Sequence, residues 1–257
     1  MANSLILNIP YSSSFIPEKD ERTFLPHLEF TSIAEALKNR EKTGEMRVER
    51  SIAIEKELFT MTAWYTDELF DHSIGKAIIS PVSRLVCDTE RNYPDYLEPM
   101  AKKGMGFCYE RNADDKLIKE FDDEYKTEVL FKYYGTHRVA LNKAIEETLN
   151  KNYKALLLNC HSFVDEEYAP DIYLYTSAEH TPEHLEKVGH KVFSANGYKV
   201  CTKNGARVPV AFKDEELLEV ITISVNRKLY LKSGTNEKSE GFEKLKNTIL
   251  ELEQILD

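Results

Sequence analysis

Apolar and polar positions along the chain follow two different periods, and the switch between them marks out the elements. Leu5-Ile-Leu-Asn-Ile9 is a short apolar run that Pro10-Tyr11-Ser-Ser-Ser14 ends, so it predicts a strand followed by a turn. Charged sequence without a clear period follows to about residue 60. Ala77-Ile-Ile79 and Arg84-Leu-Val-Cys87 are two further strand candidates, separated by Ser-Pro-Val-Ser and closed by the polar loop Asp88-Thr-Glu-Arg91-Asn-Tyr-Pro94. From about Phe121 to Lys151 the period lengthens. Tyr134, His137, Leu141, Ile145 and Thr148 recur at three- and four-residue steps on one face of a predicted helix, which Gly135 can divide in two.

Residues 154–160 predict a central strand, and the run Leu156-Leu-Leu-Asn-Cys-His161-Ser162 ends abruptly in an imidazole and a hydroxyl. Asp171-Ile-Tyr-Leu-Tyr175 is another strand candidate. Thr181 as N-cap and Pro182 at the first helical position open a helix with Leu185, Val188 and Val192 inward, and Gly197 ends it. Tyr198 to Cys201 returns as a short strand, Val220-Ile-Thr-Ile-Ser-Val225 is a strongly β-branched one, and Phe242, Leu245, Ile249 and Leu252 line a terminal helix. Nearly continuous apolar strands separated by helices predict a three-layer α/β/α domain with a mixed, mainly parallel sheet. In such sheets ligands gather at the carboxyl ends of the strands, which gives His161 its interest.

Composition narrows the function. With 257 residues, 42% of them hydrophobic, and no repeat, low-complexity tract or long linker, residues 1–257 read as a single domain. A net charge of −10 and a pI near 5.3 leave no basic field for a phosphate backbone, so nucleic acid is not an expected partner. The amino terminus lacks a basic signal-peptide region and no run reaches membrane length, so no membrane association is expected and a cytoplasmic location is the default. Cys87, Cys108, Cys160 and Cys201 are widely spaced with no C-x-x-C pair, which disfavours a disulfide scaffold or a four-thiolate zinc site and leaves them as reduced, mostly buried small hydrophobes.

Polar groups recur at strand ends and turns: Tyr11 to Ser14, Asp88 to Arg91, His161 with Ser162, and Asn226 with Arg227. Asp67 and His137 are further candidates. The chain has no H-E-x-x-H, Gly-rich phosphate loop or G-x-S-x-G, so kinase, dehydrogenase and serine-hydrolase readings rank low. Plainer roles stand beside each candidate. His161 can cap its strand, His137 can be a satisfied core histidine, Asp67 can be an N-cap, and the arginines can pair with surface carboxylates. His72, His180, His184 and His190 lie in polar segments and are assigned no role.

Six pieces in order, however, form a pattern. They are Ile9-Pro10-Tyr11-Ser12-Ser13, Thr66-Asp67, Ser83-Arg84-Leu85-Val86-Cys87-Asp88-Thr89-Glu90-Arg91, Thr136-His137, Asn159-Cys160-His161-Ser162 and Ser224-Val225-Asn226-Arg227-Lys228-Leu229-Tyr230. Over roughly residues 5 to 231 this order resembles the N-formylglutamate amidohydrolases, which share the zinc-carboxypeptidase-like fold. The resemblance implies hydrolysis of the amide of an N-formyl or N-acyl acidic amino acid. A divalent metal, zinc by expectation, would polarise the carbonyl and activate water. By position the metal shell would be Tyr11, Asp67 and His161, His137 and Ser224 would stand at the catalytic positions, and Arg84, Arg91, Asn226 and Arg227 would hold the substrate.

Three departures from the family pattern bear on the chemistry. Tyr11 stands where the family has its first His, Ser224 where it has a Glu that acts as general base, and Glu90 where it has an Asn. A phenol of ordinary pKa about 10 must lose a proton to ligate zinc well, and a hydroxyl does not take a proton from water at neutral pH. The alternatives are therefore a metal-dependent amidohydrolase, a non-catalytic homologue that binds an acidic small molecule or peptide end, and a peptidase or desuccinylase-like activity on the same fold.

Overall fold

In a computed structural model, residues 4–24, 52–70 and 74–257 are described; His72 lies outside them. The chain divides into two compact units, one formed by Met1–Ser13, Ala63–Ser80 and Gly135–Asp257, the other by Ser14–Thr62 and Pro81–Tyr134. Their segments alternate along the sequence, so no linker marks the division.

The first unit carries a six-stranded sheet. Its strands are β1 (Leu5–Ile9), β2 (Lys76–Ile79), β3 (Ala155–Phe163), β4 (Ile172–Thr176), β5 (Val200–Asn204) and β6 (Leu218–Asn226), in the order β2-β1-β3-β6-β4-β5. The β2, β1, β3 and β6 strands run parallel to one another, and β4 pairs antiparallel with β6 and parallel with β5. Four helices cover it: α1 (Thr66–Phe70), α2 (Thr136–Asn152), α3 (Glu183–Ala195) and α4 (Gly241–Leu256). Leu5, Leu7, Ile9, Leu156, Leu158, Ile221 and Ile223 share a core with α1, α3 and α4. Ile6, Leu157, Leu218 and Val220 share one with Leu141, Ala144 and Ile145 of α2. The unit is therefore the three-layer α/β/α arrangement that the apolar strands predict, with β1 and most of β3 and β6 buried on both faces and the edge strands β2 and β5 partly exposed.

The details differ from the sequence reading in instructive places. Arg84 to Cys87 is a turn, not a strand: Val86 and Cys87 N–H both donate to Ser83 O. Its apolar residues are buried in the second unit's core, which explains a strand-like composition without a ladder. Thr181 does not cap α3, because its hydroxyl donates to Val220 O and accepts from Ser177 N. Gly197 does close that helix, with a φ of 87° that favours glycine. His180 is buried, its two ring nitrogens 2.9 and 2.7 Å from the carbonyls of Leu218 and Lys213.

Among its described residues the second unit has α-helices Glu18–Glu21, Ile52–Met61 and Asp123–Val129, short 3-10 helices Asp95–Leu97 and Pro99–Lys103, a π-helical stretch that starts at Leu130, and turns and isolated bridges around Leu85, Val86, Phe107 and Tyr109. Lys119 is fully buried at its centre. The ammonium donates to Leu85 O, Val86 O and Cys108 Sγ and lies 5.2–5.3 Å from the rings of Phe24, Phe121 and Tyr125. Cys87, Cys108 and Cys160 are buried, as expected of small hydrophobes, and Cys201 is partly buried.

Candidate functional site

The sheet face toward α2 changes character along the strands. Ile6, Leu157 and Val220 are apolar, but two residues on, at the same strand parity, stand Asn8, Asn159 and Thr222. Asn8 Nδ2 donates to Asn159 Oδ1 at 3.0 Å, and Asn159 Nδ2 donates to Thr222 Oγ1 at 3.1 Å and Arg207 O at 2.9 Å. His137, buried on α2, closes this row with Nε2 2.9 Å from Asn8 Oδ1. Hydrogen bonds thus join four interior polar side chains in one row, as burial favours.

Two residues further along, His161 is level with Ser224, and Ser224 with Tyr173 of β4. Burial relaxes here: Ala155 to Cys160 are buried, His161 to Phe163 only partly. Tyr11 follows β1 and lies against His161, ring centroids 5.3 Å apart and tilted by 46°. Its carbonyl accepts from Ala63 N–H at 2.8 Å, and Ala63 O in turn accepts from Thr66 N–H and Oγ1. These bonds fix the start of α1, so Asp67 sits in the first helical turn, partly exposed, and is not its N-cap. Arg227 occupies a single turn after β6, buried, and its Nε donates to Ser162 Oγ at 3.2 Å. Asn226 donates to Asp165 Oδ1 and Pro170 O and accepts from Lys228 N–H, closing the strand end.

In the second unit Arg84 and Arg91 converge on Asp88, which is fully buried. Asp88 Oδ2 accepts from Arg84 Nε at 2.8 Å, Arg91 Nε at 3.2 Å and Tyr109 Oη at 2.5 Å, and Oδ1 accepts from Glu90 N–H. Burial by itself would raise the Asp88 carboxyl, but Arg84, Arg91 and the Tyr109 hydroxyl outweigh it and hold the group well below the usual carboxylate range. Tyr109 is pushed up to about 12, first by burial. Arg91 also lies 3.5 Å from the buried Glu98.

Within the first unit, then, the structure brings together Tyr11, His161 and Ser224, with Arg227 at Ser162; Arg84 and Arg91 gather instead around Asp88. The sequence reading missed Asn8, Thr222, Tyr109, Lys119 and Tyr173. Asn8 and Asn159 did leave a signal, since each interrupts an otherwise apolar strand.

A catalytic zinc site needs three protein donors and an open position. Among the described residues no three His, Cys, Asp or Glu side chains gather into a metal shell. The proposed donor set supplies one imidazole, one carboxylate and a phenol that packs its ring against that imidazole. Such a set does not fit a catalytic zinc ion.

A mixed, mainly parallel sheet between helical layers, with a histidine near the end of a central strand, defines a three-layer α/β domain. The model of the N-formylglutamate amidohydrolase family matches residues 3–231, and the chain belongs to that family. Among solved structures it is similar to the N-formylglutamate amidohydrolase of Ralstonia eutropha JMP134, at 19% identity and a TM-score of 0.75, covering 99% of this chain and 93% of that one. It is also similar to a gene product of Agrobacterium tumefaciens, at 12% identity and a TM-score of 0.59, covering 99% and 92%. No curated protein sequence matches. No described helix is long and apolar enough to cross a membrane.

Proposed function

We propose that this family member binds an N-acyl acidic amino acid and does not hydrolyse it by the metal-activated water expected of its relatives. The observation that carries this reading is the Tyr11 ring against His161, where the family pattern has a second imidazole. Ser224, one strand over from His161, supports it, since a hydroxyl offers a hydrogen bond but no general base at neutral pH. What remains suits recognition. Arg227 is a buried guanidinium held at Ser162, and guanidinium forks grip carboxylates bidentately. His161 and Ser224 supply hydrogen-bonding groups for the amide.

Calorimetry with N-formyl-L-glutamate is expected to give saturable binding that weakens on Arg227→Met, while formate release stays at the blank with or without added zinc. Zinc-stimulated release abolished by His161→Ala in folded protein would overturn the proposal. It would establish the second reading, hydrolysis, which family membership and the retained Asp67 and His161 favour.

A further inference from the structure

On the sheet face that bears His161 and Ser224, the next side chains across the strands are aromatic. Tyr173 is directly opposite Ser224, and Phe163 lies two residues beyond His161 on the same side of β3. Their rings are in contact, centroids 5.0 Å apart and tilted by 50°, and Tyr175 extends the series 5.8 Å from Tyr173. All three are only partly buried. The exposed Lys203 places its ammonium 3.8 Å from the centroid of the Tyr173 ring. Three partly buried, mutually tilted rings, continuous with a polar site and with a cation over one of them, form an aromatic patch with far more area than a formyl hydrogen can use.

We infer that Phe163, Tyr173 and Tyr175 form an acyl-group subsite that selects an aromatic N-acyl substituent on the anionic ligand. The inference rests on the binding reading above and specifies the ligand class. A flat ring gains from tilted contact with these rings beyond what its buried area alone would give. Lys203, over the Tyr173 ring, puts a positive charge beside the patch that suits an anionic ligand.

The test compares N-benzoyl-L-glutamate, N-acetyl-L-glutamate and N-benzoylglycine by calorimetry on the full chain. The benzoyl glutamate is expected to bind at least about tenfold more tightly than the acetyl one, and Tyr173→Thr and Phe163→Thr to bring that ratio toward one. Threonine keeps high strand propensity at both positions without a ring, and circular dichroism verifies folding; the two variants check each other. Equal affinities for the two glutamates in the wild type overturn the subsite while leaving the acidic-ligand reading intact. Binding of N-benzoylglycine as tight as the benzoyl glutamate, dependent on Tyr173, removes the acidic-ligand reading and keeps the subsite. No binding of any of the three overturns both.

Discussion

Asp88→Asn tests whether the arginines of the Ser83–Arg91 loop are structural. The substitution removes one charge with little change in shape. The amide oxygen can still accept from Glu90 N–H, but the Oδ2 position, which takes donors from Arg84, Arg91 and Tyr109, becomes an NH2 group with nothing to accept. Breaking a buried ion pair by removing one partner costs about 3–5 kcal/mol. Two features point to the lower end: the Arg84 side chain is 23% exposed, and Arg91 keeps Glu98 at 3.5 Å. The expected loss is about 3 kcal/mol, or roughly 6–12 °C in Tm for a chain of this size. Urea unfolding followed by circular dichroism measures it. Because the folded Asp88 pKa is depressed, its contribution is fully present above the unfolded value of about 3.9 and is lost as pH falls through the folded value. The gap between wild type and variant should therefore stay level from pH 8 to 5 and narrow only below about pH 4. A gap under about 1 kcal/mol at pH 7, or one that closes between pH 7 and 5, would refute the account and release Arg84 and Arg91 for a ligand.

Three further outcomes follow from the same contacts. Lys119→Met fills the space but leaves the Leu85 and Val86 carbonyls without their buried donor, so unfolding should become easier by about 1–3 kcal/mol in urea, with the loss concentrated in the second unit's hydrogen exchange. Gly241→Ala would place a Cβ 2.1 Å from Leu229 O, and backbone yields little, so the thermal midpoint should drop by more than for Gly189→Ala, whose Cβ meets only the Leu174 side-chain end at 2.9 Å. Restoring the family donors with Tyr11→His and Ser224→Glu together should raise zinc retained after dialysis from trace toward one equivalent, measured by elemental analysis; no gain would show that the misfit lies elsewhere than in these two side chains.

Much of the first unit was legible because its strands are nearly continuous apolar runs, and such runs have few other stable environments than a sheet covered on both faces. The Arg84–Cys87 turn was not, since burial in a loop-rich core demands the same apolar residues as burial in a sheet. Thr181 misled for a similar reason. Its hydroxyl suits a cap, but it bonds instead to a strand carbonyl 39 residues away, and only folding brings Val220 there.

The sequence by itself determined the layered α/β architecture, the placement of His161 at a strand end and the family order of its polar pieces, because period and motif order are local properties of the chain. Tertiary structure decided which of those pieces meet. It set Tyr11 against His161, Ser224 and Tyr173 in one row beside it, and Arg84 and Arg91 on Asp88. Those partnerships depend on strand register and on side chains distant in sequence competing for the same buried acceptors, and no local pattern encodes the winner.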